Sequence, residues 1–187
     1  MANGNIRAWE ILHRLSDRAL IVGAEIGVFG AETSKELLKD ERVILYMVDN
    51  WRAKEDQPQA YVDSGDYHAN RLGREQQDVY KLMALSETMF AKDRRREMWM
   101  DSVDAAKFFD GPVLDFVFID ADHSYEGCRS DIRAWRGNIK PGGILGGHDY
   151  ALPTHPKFGV KRAVDEAVDK YGWRLDLGEN YTWFVRL

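Results

Sequence analysis

Two acids and a histidine directly follow the most apolar stretch of the chain. The run 114–119 ends at Asp120, and Asp122 and His123 come soon after it. Several apolar residues rich in Val, Ile and Phe, closed by polar ones, indicate a strand buried on both faces of a sheet. Ligands bind beyond the carboxyl ends of such strands, so we expect these three residues to border a site. The local pattern leaves a structural alternative open, in which Asp120 caps the next helix and His123 faces water.

Three further predicted strands also carry side chains that bind cations or move protons. These side chains are Glu25 in 20–26, Asp49 after 43–48, and His148 with Asp149 after 144–147. The carboxyl ends of parallel strands meet at one edge of a sheet. We therefore expect these three groups, together with the group that follows 114–119, to line a single cleft. Polar residues scattered at random would not fall at the end of each strand.

An alternation of strands and helices has to place these groups. Apolar runs predict strands at 20–26, 43–48, 97–100, 114–119 and 144–147, and a hairpin from 173–177 and 181–187. Helical spacing predicts a helix over 73–92, with one side formed by Val79, Leu82, Met83, Leu85 and Met89. The segment 140–143, Lys-Pro-Gly-Gly, predicts a break before the last parallel strand. The sequence thus predicts an α/β fold, with a Rossmann-like, doubly wound, mostly parallel sheet of about seven strands and a C-terminal antiparallel hairpin.

Chain length and one aperiodic stretch define the predicted domain organisation. With 187 residues, the chain is expected to form a single domain over 1–187 with its own core. Residues 52–72 show no clear period and hold Tyr61, Tyr67 and His68. A loop of this length inside a compact domain is usually functional. We therefore interpret 52–72 as a lid insertion with an aromatic lining.

Composition and charge exclude several classes of partner. A hydrophobic fraction of 44% and a charged fraction of 30% are typical of a globular protein. The net charge of −5, with Arg94-Arg95-Arg96 interpreted as a solvated helix face, argues against a nucleic-acid partner. The single cysteine, Cys128, excludes an internal disulfide and fits a reducing cytoplasm. No stretch has the roughly 20 apolar residues of a membrane span, and 1–10 lacks the apolar core of a signal peptide. We expect a cytoplasmic protein that binds neither nucleic acid nor membrane.

The turn after the first strand narrows the class of ligand. Gly27 and Gly30 permit a tight turn and a close backbone approach. Their spacing matches neither the G-x-G-x-x-G of dinucleotide folds nor the G-x-x-x-x-G-K-[ST] of phosphate loops. A ligand without phosphates therefore fits better, and Glu25 favours one that carries positive charge. Asp49 lies about 20 residues beyond the turn, where nucleotide folds bind a ribose hydroxyl. The alternative is a turn formed by Asp49 and Asn50.

Four segments together resemble the class I S-adenosylmethionine-dependent methyltransferases. They are Glu25-Ile26-Gly27-Val28-Phe29, Asp49, the run Phe116-Val117-Phe118-Ile119-Asp120-Ala121-Asp122, and Lys140-Pro141-Gly142-Gly143. The likeness covers 20–171 and is similar in particular to small-molecule O-methyltransferases of the caffeoyl-CoA, catechol and macrocin-type sugar kinds. The run 159–167 is typical of bacterial members. The resemblance implies S-adenosyl-L-methionine as cofactor and a small hydroxylated molecule as methyl acceptor.

The resemblance also implies which residues hold the cofactor. They are Glu25, Gly27 and Gly30 at the methionine part, Asp49 at the ribose hydroxyls, Trp51, Asp101 and Ser102 around adenine, and Asp120 beside the cofactor. The chain departs from its relatives at the turn, where a glycine and a serine are replaced by Ala31 and Thr33. We therefore expect the turn to bend differently.

In the metal-dependent relatives, residues equivalent to Asp120, His148 and Asp149 bind a divalent ion. Two carboxylates suit Mg²⁺, whereas an imidazole shifts the preference toward Mn²⁺, Fe²⁺ or Zn²⁺. The alternative is that His148 only forms hydrogen bonds and no metal is bound. Asp120 and His123 form an Asp-x-x-His pattern like that of the sugar-modifying relatives, which implies that His123 is the catalytic base. The alternative is a histidine at a helix start that faces water.

The resulting hypothesis is methyl transfer to oxygen. The acceptor oxygen attacks the sulfonium methyl in line, while a metal lowers the hydroxyl pKa and a base removes the proton. One alternative is an NAD-type dehydrogenase on a similar sheet, against which the missing G-x-G-x-x-G argues. Another is a cofactor-binding module without catalysis. A homo-oligomer is left open, since the predicted amphipathic helix at 6–15 could contact a partner.

Overall fold

A seven-stranded sheet forms the centre of the protein. The structure is a computed structural model that describes residues 3–187. Its strands are β1 Ile21–Ile26, β2 Val43–Val48, β3 Arg95–Met98, β4 Leu114–Ile119, β5 Ile139–Gly147, β6 Leu175–Leu177 and β7 Trp183–Arg186. They lie in the order β3-β2-β1-β4-β5-β7-β6. The first five are parallel, β7 is antiparallel to β5, and β6 is antiparallel to β7. The predicted fold class, including the C-terminal hairpin, is confirmed.

Helices cover both faces of this sheet. They are α1 Asn3–His13, α2 Glu32–Leu38, α3 Gln59–Asp63, α4 Tyr67–Arg71, α5 Arg74–Glu87, α6 Ser102–Ala106, α7 Tyr125–Trp135 and α8 Val160–Tyr171. Short 3₁₀ turns lie at Lys54–Asp56, Met89–Ala91 and Arg136–Asn138. Over residues 3–187, none of the helices combines the length and the apolar character needed to cross a bilayer.

The buried strand β4 divides the core into two layers. Phe116 and Phe118 pack on the side of α1 and α2, whereas Val117 and Ile119 pack on the side of α7 and α8. All four side chains are at most 4% exposed. Burying each one contributes about 1.5–3 kcal/mol relative to exposure. Because both faces are covered, the strand ends abruptly at polar residues that lie at the rim of the sheet.

Strand β3 corrects the interpretation of the arginine triplet. It begins at Arg95, two residues before the predicted start, so the triplet does not form a solvated helix face. The Arg94 guanidinium donates to the carbonyls of Leu38, Asp40 and Val43, at 2.8, 3.1 and 2.9 Å. These carbonyls belong to the last residue of α2, to the loop that follows it and to the first residue of β2. The triplet therefore ties the edge of the sheet to a neighbouring helix.

Strand β5 corrects the predicted break at 140–143. The strand runs through this segment, pairing with β4 at Ile139 and again from Ile144 onward. The register shifts between these two points, and Gly142 has a φ of +78°. Pro141 lacks an amide hydrogen, and its place in the irregular stretch avoids the loss of a regular ladder bond.

Helix α5 forms where the sequence predicted a helix, but most of its apolar residues face away from the core. Its buried residues are Gln77 and Ala84. Val79, Leu82 and Met83 are 61%, 66% and 45% exposed. Periodicity therefore identified the helix, whereas the side that meets the protein is lined by small and polar residues.

Candidate active site

A cavity of about 490 Å³ lies at the carboxyl ends of the parallel strands. Segments from α1, from residues 52–72 and from the loops after β1 to β5 contribute to its wall. Of the candidate residues, those on the wall are Glu25, Gly27, Gly30, Asp49, Asp101, Ser102, Asp120, Asp122, His123, His148 and Asp149. Trp51 is not among the lining residues. The structure thus brings together the strand-end groups that the sequence singled out.

The turn between β1 and α2 approaches the end of β4 very closely. Gly27 has a φ of +89°, and a Cβ there would overlap the Asp120 carbonyl and lie 2.8 Å from the Ala121 Cα. Only glycine is compatible with this approach. Ala31 has a φ of +65°, so the turn places a non-glycine residue in the left-handed region. At Gly30, a Cβ would meet only side chains at ordinary contact distance, 3.5 Å and beyond.

Asp49 holds this turn in place from the end of β2. Its Oδ2 accepts the N–H groups of Val28 and Phe29, both at 2.9 Å, and its Oδ1 accepts the Trp51 N–H at 2.7 Å. A carboxylate has about four lone-pair positions, so Oδ1 still has acceptor capacity toward the cavity. The Trp51 indole is 4% exposed and donates to the Phe29 carbonyl at 3.0 Å. Trp51 therefore packs in the core behind the turn.

Glu25 is buried in β1 with one polar partner on α2. It is 2% exposed, and the Ser34 hydroxyl donates to its Oε2. Burial raises the pKa of Glu25 to about 8, although the bond from Ser34 opposes the rise. In the ligand-free protein this carboxyl is therefore largely protonated at neutral pH. A cation bound beside it would favour the ionised form.

The far end of the cavity is formed by the loop after β3 and by α7. Asp101 accepts from Asn50 Nδ2 and Arg52 Nη2, both at 2.6 Å. The Ser102 hydroxyl donates to Asp131 Oδ1 at 2.5 Å. Burial raises the pKa of Asp131 to about 7. The sequence did not single out Asp131, because it lies in the middle of a helix with no strand end to mark it.

His123 lies at the centre of a cluster of three carboxylates. Its Nδ1 donates to Asp66 Oδ2 at 2.7 Å, and its Nε2 lies 2.9 Å from Asp149 Oδ2 and 3.4 Å from Asp120 Oδ1. Burial alone would lower the pKa of His123, but the carboxylates raise it well above its ordinary value. Asp66 comes from the 52–72 segment, where no sequence pattern pointed to it.

The same cluster has the donor atoms of a metal site. Among the described residues, Asp120, His123 and Asp149 form a group whose ligand atoms all lie within 4.8 Å of one another. His148 Nδ1 lies 3.1 Å from Asp149 Oδ1 and 3.8 Å from Asp120 Oδ1. Two carboxylates with an imidazole are a donor set that divalent transition metals accept. The residues present therefore fit a metal ion.

Arg7 of α1 is a cavity residue that the sequence did not reveal. Its Nη1 lies 3.2 Å from Asp120 Oδ2 and donates to Thr33 Oγ1 at 3.2 Å. Burial opposes ionisation of Asp120, but Arg7 and the two histidines hold the pKa of Asp120 below its ordinary value. An arginine on an amphipathic helix is normally solvent-facing, so no pattern distinguishes Arg7 from the other arginines nearby.

Comparisons with known structures show the fold. CalS11, a calicheamicin methyltransferase, matches with a TM-score of 0.67 and 13% identity, over 97% of this chain and 77% of that chain. The O-methyltransferase NovP matches with a TM-score of 0.60 and 15% identity, over 97% and 77%. A precorrin 8w decarboxylase of Methanobacterium thermoautotrophicum matches with a TM-score of 0.60 and 14% identity, over 96% and 88%. At such identities the likeness concerns architecture.

The sequence itself matches a known family. No curated protein matches the chain significantly. A family model described as a methyltransferase domain matches residues 12–150, which is more than half of the chain and includes every strand end that lines the cavity. The chain therefore belongs to the methyltransferase domain family and is an S-adenosylmethionine-dependent methyltransferase.

Proposed function

We propose that this enzyme transfers the methyl group of S-adenosyl-L-methionine to a hydroxyl of a small molecule. The observation that carries the proposal is the position of His123, a buried imidazole that shares one cavity with the glycine turn at Gly27. A base beside a bound sulfonium is what a neutral hydroxyl needs to become a nucleophile. CalS11, a structure of similar fold, is described as a TDP-rhamnose 3'-O-methyltransferase, which supports a small hydroxylated acceptor.

The cofactor is proposed to lie along the rim from β1 to β3. Glu25 and Gly27 face its methionine part, and Asp49 uses its remaining acceptor capacity for the ribose hydroxyls. Asp101 and Ser102 flank the adenine. Support comes from the placement of all five residues on one cavity wall. Trp51 is not included, because its indole packs in the core.

The proton is proposed to move to Nε2 of His123. Asp66 accepts from Nδ1, which leaves Nε2 facing Asp120 and Asp149. The acceptor oxygen attacks the methyl carbon, the carbon–sulfur bond breaks, and S-adenosylhomocysteine leaves as a neutral thioether. The hydroxyl proton would pass to Nε2 of the neutral imidazole. In the ligand-free protein the carboxylates raise the pKa of His123 and favour the imidazolium, so a cation held by Asp120 and Asp149 would be needed to offset them and free Nε2.

A divalent ion is proposed to bind to Asp120, His148 and Asp149. It would supply positive charge that lowers the pKa of a bound hydroxyl. Because one ligand is an imidazole, we favour Mn²⁺ over Mg²⁺. His123 is the competing imidazole ligand, since its Nε2 lies as close to both carboxylates.

The whole chain is proposed to act as one domain with 52–72 as its lid. Gln57, Pro58, Tyr61 and His68 from this segment line the cavity, and Asp66 contacts His123. Tyr67 is 61% exposed and does not line the cavity. The lid is thus proposed to cover the acceptor beside the base.

A methyl-transfer assay tests this function. The purified protein is incubated with S-adenosyl-L-methionine and a panel of phenols, catechols and nucleotide sugars, and products are detected by mass spectrometry. We expect methylated product with one acceptor class, a loss of turnover on chelation and recovery with Mn²⁺. His123→Gln should lower turnover by about 10²-fold or more while S-adenosylhomocysteine still binds.

The exposed His155, which does not line the cavity, supplies a matched control. His155→Gln should retain full turnover. Unchanged turnover in His123→Gln would reject the base, and full activity after chelation would reject the metal. Mn²⁺ affinity measured in His123→Gln and His148→Gln identifies the imidazole ligand, because only loss of the true ligand weakens binding.

A further inference from the structure

The cavity is lined mainly by carboxyl groups, several of which are ionised, and this disfavours the binding of the cofactor's own carboxylate. Its acidic lining residues are Glu25, Glu32, Asp49, Asp101, Asp120, Asp122, Asp131 and Asp149, whereas its arginines are Arg7 and Arg52. The sulfonium and amino groups of S-adenosyl-L-methionine suit such a site, but its carboxylate does not. A buried carboxylate requires a positive partner or several hydrogen-bond donors, and a guanidinium supplies both.

Only one of the two arginines lies at the end of the cavity that holds the glycine turn. Arg52 Nη2 donates to Asp101 at 2.6 Å, at the opposite end. Arg7 lies beside Thr33, which follows the glycine turn in the first turn of α2, and beside Asp120. The methionine part of the cofactor, which binds beside the glycine turn, therefore lies near Arg7 and far from Arg52.

The Arg7 side chain has unused hydrogen-bonding capacity. It is 15% exposed, and its contacts with Thr33 and Asp120 both use Nη1. Its Nε is buried and has no hydrogen-bond partner among the residues that the structure describes. An unpaired buried donor is costly, and a guanidinium binds a carboxylate best through two parallel donors such as Nε and Nη2.

We propose that Arg7 binds the carboxylate of the cofactor's methionine part, with the Thr33 hydroxyl beside it. Nη1 keeps its contact with Asp120 and Nη2 donates to the ligand, and a small rotation of the side chain brings the buried Nε to the second carboxylate oxygen. The N-terminal helix α1 thereby becomes part of the cofactor site. The inference uses the assignment of the cofactor and does not depend on the acceptor, the metal or the base.

Calorimetry with two ligands tests the proposal. S-adenosylhomocysteine carries the carboxylate, and decarboxylated S-adenosylhomocysteine lacks it but keeps the amine. The wild-type protein should bind the first about 10–100-fold more tightly, the range expected for a charge-assisted pair. Arg7→Gln, which keeps a polar side chain, should abolish this preference by weakening only the carboxylate-bearing ligand. Arg7→Lys should retain part of the preference, because it keeps the charge without the paired donors.

Arg14 supplies the matched control. Its guanidinium is 11% exposed, pairs with Glu10 and Asp176, and does not line the cavity. Arg14→Gln should retain the wild-type preference even if it lowers stability. The proposal is rejected if Arg7→Gln retains the preference, or if it weakens both ligands equally. Failure of the wild-type protein to bind S-adenosylhomocysteine would instead overturn the cofactor assignment itself.

Discussion

Glu25 illustrates how a single buried carboxyl couples the site to pH. It is 2% exposed, and burial raises its pKa from 4.5 to about 8. The folded protein therefore retains a proton that the unfolded chain releases between these two values. By linkage, this carboxyl makes the folded state progressively less stable as the pH rises through that window.

We predict that Glu25→Gln reduces the pH dependence of stability in the ligand-free protein. The amide cannot ionise and still accepts from Ser34, so the loss of stability between about pH 5 and about pH 8 should shrink by a few kcal/mol, at about 1.4 kcal/mol per pKa unit. Urea denaturation at the two pH values measures this. Glu41→Gln, at an exposed carboxylate, should leave the difference unchanged. An equal pH dependence in Glu25→Gln and wild type would contradict the raised pKa.

At the scale of residues, position along the chain was informative only at strand ends. Glu25, Asp49, Asp120 and Asp149 could be selected because each belongs to, or follows, an apolar run. Arg7, Asp66 and Asp131 lie in helices or in an aperiodic segment, where a polar side chain is unremarkable until folding places it against a partner. Trp51 has a φ of +42° and an indole that bonds back to Phe29, and neither feature follows from its distance to Asp49.

At the scale of elements, the start of α8 packs directly against the start of α7. The Gly159 N–H donates to the His123 carbonyl at 2.8 Å. A Cβ on Gly159 would overlap the Tyr125 backbone and lie 2.6 Å from the Tyr125 Cβ. This close approach of two helices lies immediately behind His123, so it helps to fix the position of the imidazole.

Gly159→Ala is expected to destabilise the protein by about 1–3 kcal/mol, the usual cost of overpacking. The added methyl group must push α8 away from α7, because the atoms that it meets belong to the backbone. Gly137 is the control, since a Cβ there would meet nothing within 4 Å. Gly137→Ala should change the free energy of unfolding by less than about 0.5 kcal/mol. Equal unfolding curves for the two variants would show that α7 and α8 can separate without cost.

Elements marked by one clear sequence pattern, such as an unbroken apolar run, were predicted well. Elements whose residues favour conflicting structures were not. The buried strand β4 matches its predicted bounds, 114–119. Strand β5 continued through Pro141 because the register shift absorbs the missing donor, which is a tertiary effect. For α5, apolar spacing could not show which side meets the protein, because Gln77 and Ala84 face inward.

At the scale of the whole molecule, the order of the strands decides where the ligand binds. From β1 the chain adds β2 and β3 on one side and β4 and β5 on the other, so the strand order reverses between β1 and β4. The cavity opens at that point. A ligand held there contacts segments from both halves of the chain and binds only the folded state. Its binding must therefore stabilise the protein as a whole.

We predict that S-adenosylhomocysteine raises the melting temperature and that NAD does not. At about 100 times the dissociation constant, binding adds about 2.7 kcal/mol, or roughly 5–10 °C for a chain of this size. Differential scanning fluorimetry measures both ligands under the same conditions. The glycine turn lacks the spacing that cradles a pyrophosphate, which is the reason to expect no effect of NAD. A shift with NAD alone would favour a dehydrogenase.

The contact between Asp66 and His123 links substrate fit to reactivity. An acceptor too bulky for the cavity would have to hold residues 52–72 outward, and Asp66 would leave the imidazole with that segment. Such a molecule could occupy the enzyme and still fail to be methylated, because the ring would have lost its orienting partner. Selection among acceptors would then be visible in kcat more than in affinity, and tight-binding molecules of the wrong shape would behave as inhibitors.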